Sequence, residues 1–140
     1  MYSIAPLFVE NFTFTKLRAF KTYKEVAMYK CALLVKMTGD YWKALSENPG
    51  SDRQDAVKTA YESVGGKLVF FGFIHGKWDV LLVAEAPSEK EFWAPIAQAM
   101  FGGMIKDMES FPIIEQETIT GAMGMAQQAG YKAPGSKIYN

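Results

Sequence analysis

Apolar residues along the chain change their period from two to about 3.6 and back, and each change marks an element. Met28 to Met37, MYKCALLVKM, alternates lysines with apolar residues at its ends and is continuously apolar from Cys31 to Val35. That pattern predicts a strand central in its sheet. Gly39, Asp40, Tyr41 and Trp42 stand ahead of the breaker Asn48-Pro49-Gly50 and predict a short helix or turn. Ser51-Asp52-Arg53-Gln54 has the form of a capping box, with the serine as cap. The helix it opens carries Ala56, Val57, Ala60, Tyr61 and Val64 at helical spacing and closes on Gly65-Gly66. Two aromatic and branched runs, Lys67 to Ile74 and Trp78 to Glu85, flank His75-Gly76-Lys77 and predict a β-hairpin. Ser88-Glu89-Lys90-Glu91 is a second capping box, leading a helix whose apolar stripe is Phe92, Trp93, Ile96, Ala97, Met100 and Phe101 and whose stop is Gly102-Gly103. Pro95 lies inside that pattern, where it lacks a donor and crowds the preceding turn, so a kink is expected there. Ile113 to Ile119, IIEQETI, alternates again and predicts the fourth strand.

The resulting order, βαββαβ, is that of an α+β, ferredoxin-like fold in which two helices pack on one face of an antiparallel sheet. Both parities of the hairpin are apolar: Val69, Phe71 and Phe73 on one side, Leu68, Phe70 and Ile74 on the other. A sheet wetted on one face would alternate apolar with polar residues. A second copy of the chain is therefore expected to cover the face without helices. The ferredoxin-like domain is drawn over 28–120. Residues 1–27, with Leu7, Phe8, Val9, Phe12, Phe14, Leu17 and Phe20, are too apolar for a free tail and are expected to form an arm packed on the body or on a neighbour. From Gly121 the composition turns to Gly, Ala, Met and Gln, which fits either a mobile tail or an arm ordered by contact.

Composition narrows the partners. Fifteen Lys and Arg balance fifteen Asp and Glu in 140 residues, so no global field draws nucleic acid or an anionic membrane to the chain. No segment is long and apolar enough to span a bilayer, and the short run from Ile4 to Val9, broken by Pro6, lacks a basic leader. A single cysteine, Cys31, and a single histidine, His75, exclude an internal disulfide and a Cys/His metal cluster. A cytoplasmic setting with no metal and no cofactor is the expectation.

Gly76-Lys77-Trp78-Asp79, running into the strand VLLVAEAP, resembles the motif of the GYD-domain family. The likeness extends from Tyr29 to Thr118: a first strand ending near Lys36-Met37-Thr38, a helix closing on Gly65-Gly66-Lys67, the hairpin, the turn Glu85-Ala86-Pro87 and the capped second helix. Trp78 stands where the family has tyrosine, and Lys77 separates it from the glycine. The resemblance implies a dimeric α+β barrel, in which two ferredoxin-like units join sheet to sheet around an enclosed space. It also implies kinship with cofactor-free monooxygenases, muconolactone-type isomerases and haem enzymes, a set that does not fix one activity.

His75 is the side chain suited to carry protons near neutrality, and Asp79 follows closely enough to orient it. Together they can abstract a proton beside a carbonyl. The plainer alternatives are a polar hairpin residue and a carboxylate that caps the turn amides. Lys36, or Lys30 of the same parity, can meet an anionic group or sit at a solvated strand end. Tyr41, Trp42, Phe71, Phe73 and Trp78 can line a pocket for a small apolar or aromatic molecule, or be plain core. Cys31, set among apolar residues, reads as an inert packed thiol. His75 as a haem ligand and KLVFFGFI as an RNA-stacking strand are weaker alternatives, the second opposed by zero net charge. The expected protein is thus a homodimer or higher oligomer that binds a small molecule, with cofactor-independent catalysis as an extension of that role. A non-catalytic assembly module is the competing reading.

Overall fold

A computed structural model describes residues 28–135, and the arm expected over 1–27 lies outside the described residues. The elements run β1 (Tyr29–Met37), α1 (Gly39–Glu47), α2 (Arg53–Glu62), β2 (Lys67–Phe73), β3 (Val80–Ala86), α3 (Glu89–Phe101), β4 (Ile105–Pro112) and α4 (Gln116–Ala126). The strands form one sheet in the order β2-β3-β1-β4, and every pairing is antiparallel. This is the ferredoxin-like order, with α1 added to the first crossover. Strand alternation decides the faces. Cys31, Leu33 and Val35 of β1 stand opposite Ala84, Leu82 and Val80 of β3. All six are buried with Tyr61, Phe92 and Ile96 from the helices above. Phe92 centres this core, its ring 5.5 Å from Tyr61 and 5.3 Å from Tyr29.

The other face carries Ala32 and Leu34 of β1, Leu81 and Val83 of β3, Phe70 of β2 and Phe111 of β4. Phe70 and Phe111 are 51% and 44% exposed. The expected parity of β2 is altered by a register shift between Leu68 and Phe70. Leu68 consequently joins Phe71 against the core, while Val69 falls in the irregularity and is exposed.

The fourth strand is a correction. It is Ile105–Pro112, not Ile113–Ile119, which forms the turn and the first residues of α4. β4 is an edge strand whose outer positions include Lys106, Asp107 and Glu109, so its sequence lacks the apolar run of a central strand. It is held in place by pairing with β1 from Met37–Ile105 to Cys31–Pro112, and Ile113 N still donates to Lys30 O at 2.8 Å. α4 passes through residue 120, the limit drawn for the domain, and none of its residues is buried.

The helix starts differ in detail from the expected boxes. Asp52, not Ser51, caps α2, its Oδ1 accepting from Asp55 N at 2.9 Å, and Ser51 Oγ instead accepts from Arg53 Nη1 at 2.8 Å. Ser88 is the cap residue of α3, but its hydroxyl donates to the Glu91 carboxylate rather than accepting from an amide. α2 closes at the glycine pair, where Gly66 N donates to Tyr61 O at 2.8 Å. α3 runs through Pro95 as one continuous helix.

Candidate functional site

A cavity of about 510 Å³ lies between the sheet and helices α1, α2 and α3. Its floor is Leu33, Val35, Phe71, Val80 and Leu82, the inward parity of the three strands beneath the helices. Its walls are Tyr41 and Leu45 of α1, Val57 and Tyr61 of α2, and Ile96 of α3. Besides the two tyrosines, polar side chains are few: Asn48 and Ser51 from the α1–α2 connection, Arg53 at the start of α2 and Gln98 of α3. An apolar chamber with a small set of convergent polar groups has the usual make-up of a small-molecule site, and its volume falls within the usual range.

α1 closes one side of the chamber, and Thr38 anchors it. Thr38 Oγ1 accepts from Tyr41 N at 3.3 Å and donates to Gly103 O at 2.8 Å, while Thr38 N donates to Met104 O at 3.0 Å. The helix start is thereby tied to the turn between α3 and β4. Tyr41 is buried, and its ring meets Trp42 at 5.3 Å. Trp42 in turn lies 6.0 Å from Phe73, which contacts Phe71 edge-on at 5.5 Å. Four of the expected ligand-binding aromatics thus form one linked run. Tyr41 and Phe71 line the cavity, whereas Trp42 and Phe73 carry the run outward to the surface.

The remaining expected site residues lie elsewhere. Trp78 is half-buried in the hairpin connection, with the Lys77 ammonium 5.4 Å from its ring centre. Lys36 points to the open-face parity and pairs with Asp79 at 3.3 Å. His75 is exposed in the hairpin turn, and no hydrogen bond joins it to Asp79 among the described residues. Asp79 is committed to the sheet: its Oδ2 accepts from Met37 N at 2.9 Å and its Oδ1 from Lys36 Nζ at 3.3 Å. Met37 lies beyond Val35–Val80, the last ladder pair of β1 with β3, so the carboxylate takes an amide that the ladder no longer reaches. Gly76 has φ +139°, a backbone conformation open to glycine and costly for other residues.

Among the described residues no group of His, Cys, Asp and Glu could hold a metal, and no helix is long and apolar enough to cross a membrane. Cys31 is fully buried, and burial pushes its thiol pKa up, away from the reactive thiolate.

Sequence reasoning missed Arg53 and the aliphatic floor. The floor residues were legible as strand positions but not as a surface, because a chamber depends on how far the helices stand from the sheet. For Arg53 a signal existed: a cation in the first turn of a helix is opposed by the helix dipole, so its placement calls for another cause.

The family model of the GYD domain matches residues 31–123, more than half of the chain. The chain belongs to the GYD-domain family. No curated protein sequence matches it. Among solved structures it is similar to an AsnC-family transcriptional regulator from Agrobacterium tumefaciens, at 18% identity and a TM-score of 0.42. That likeness covers 67% of this chain and spans only 55% of the regulator. In this GYD domain the motif glycine and aspartate shape and fasten the hairpin, while the cavity is built mainly from residues outside the motif.

Proposed function

We propose that this GYD protein binds a small apolar or aromatic molecule in the chamber beneath its helices, and that it works as a homodimer joined through the open sheet face. The cavity carries the reading: about 510 Å³ lined by Leu33, Val35, Phe71, Leu82 and Ile96, with a few polar side chains beside them, has the size and make-up of a small-molecule site. The dimer is supported by the apolar open face, with Leu34, Leu81, Val83, Phe70 and Phe111 on one side of the sheet and, among the described residues, no helix packed over them. Binding is better supported than catalysis. A base oriented by its neighbour requires a hydrogen bond that His75 and Asp79 do not make, and neither residue lines the chamber.

The test is saturable uptake of a neutral fluorescent probe, N-phenyl-1-naphthylamine, by the full chain. Wild type is expected to take up one probe per subunit with enhanced, blue-shifted emission. Ala60→Phe, which fills the chamber from α2, is expected to lose uptake while keeping the circular dichroism of the fold. Uptake unchanged in Ala60→Phe would sink the reading. A second reading, a non-catalytic assembly module, is favoured by α4, which exposes Met123 at 60% and Met125 at 73%. It predicts no saturable uptake and an assembly that disappears when residues 114–140 are removed.

A further inference from the structure

We infer that the ligand of this chamber carries a carboxylate and that Arg53 receives it. The inference rests on the chamber being the binding site and names the class of molecule that it takes.

Arg53 is half-buried at the start of α2 and lines the chamber. Lys30, Lys36, Lys58 and Lys90 each stand near a carboxylate, while Lys43, Lys67, Lys77, Lys106 and Lys132 are exposed to solvent and do not line the chamber. Arg53 has no such partner among the described residues. The nearby acids are otherwise placed: Asp52 caps the helix through Asp55 N, and Asp55 is exposed. One guanidinium nitrogen donates to Ser51 Oγ at 2.8 Å. A guanidinium offers five N–H donors in a rigid fork, so the bond to Ser51 leaves most of that fork free. Ser51 and Asn48, which also line the chamber, come from the connection that leads into Arg53. Apart from Gln98 and the two tyrosines, the polar side chains of the lining are therefore grouped at the end of the α1–α2 connection and the first residue of α2. The strand floor of Leu33, Val35, Phe71, Val80 and Leu82 is wholly apolar.

A half-buried guanidinium without a counter-charge loses hydration and gains little in return. A carboxylate restores the balance through two parallel N–H···O bonds, a geometry that a planar fork matches and an alcohol or ketone does not. The body behind the carboxylate then lies on the floor, where the Phe71 ring and the aliphatic side chains favour an aromatic or aliphatic group. A neutral hydrocarbon leaves the guanidinium unpaired, and a polyanion has one cation to meet and an apolar floor to desolvate against. A monocarboxylate with an apolar body fits both halves of the lining.

The experiment compares 1-naphthoate with its neutral counterpart, 1-naphthalenemethanol, by titration calorimetry of the full chain. Wild type is expected to bind the naphthoate more tightly, with an affinity that falls as salt rises, while the alcohol is insensitive to salt. Arg53→Gln is expected to weaken naphthoate about tenfold or more and to leave the alcohol within about twofold. Arg53→Lys, which keeps the charge but not the fork, is expected to fall between them. Thermal melts of both variants establish that they fold, and the salt series on wild type stands independently of either variant. If the alcohol binds but naphthoate binds no better, shows no salt dependence, or is untouched by Arg53→Gln, the assignment to Arg53 is overturned and the chamber survives. If neither molecule binds, the chamber reading itself fails.

Discussion

Tyr61 buries its ring against Phe92 and its hydroxyl in a place where no hydrogen-bond partner stands among the described residues. Burial pushes its pKa up, so the hydroxyl stays neutral through the physiological range. The sign of its linkage follows. The folded pKa lies above the unfolded one, so stability is intact below the ordinary tyrosine value of about 10 and is lost as pH rises past it. Tyr61→Phe keeps the ring and removes the orphaned group. It is expected to raise stability by about 1 kcal/mol at neutral pH, read as a higher urea midpoint, and to flatten the alkaline loss. A fall in stability instead would mean that the hydroxyl has a partner in the working protein.

α2 meets the sheet at Gly66, where a β-carbon would stand 2.5 Å from the Glu85 carbonyl oxygen and 3.1 Å from that of Tyr61. Both are main-chain atoms, one in β3 and one in α2, so neither can swing aside. Gly66→Ala is expected to cost about 1–3 kcal/mol, seen as a lower urea midpoint with unchanged slope. The glycine pair was legible in the sequence as a helix stop, but its role in bringing α2 onto β3 was not, since that depends on the distance between two elements. The same distinction runs through the fold. β1, α2, the hairpin and α3 were readable because Leu33, Val57, Leu82 and Phe92 fall at the spacing of the face that each element buries. β4 was not, because an edge strand with Lys106, Asp107 and Glu109 outward resembles a loop. Ile113–Ile119 alternates without a neighbour to pair with beyond Ile113. In the site, Tyr41 and Phe71 were found through their aromatic character. Arg53 stands in the first turn whether Ser51 or Asp52 is the cap, but that it lines the chamber depends on how α1 and α2 sit over the sheet, which sequence spacing does not carry.

At the scale of the molecule, the sheet has two unlike faces: one forms the floor of the chamber, and the other is the apolar face through which the proposed dimer would join. Val83→Glu places a charge at the centre of the open face, on β3, without touching the chamber. It is expected to convert a dimer to a monomer in sedimentation velocity while probe uptake persists. A wild-type chain that sediments as a monomer would overturn the sheet-to-sheet arrangement. The clamp made by Asp79 bears on how such a protein can diversify. It fastens the hairpin to the end of β1, just before α1 begins, and so fixes where one wall of the chamber starts. The motif is thus a joint in the framework, while Arg53, Val57, Ala60 and Ile96 are fittings hung on it. Exchanging those fittings alters the lining of the chamber and leaves the joint untouched. On the proposed binding reading, chains that share the motif could then hold chemically unlike molecules in one and the same frame.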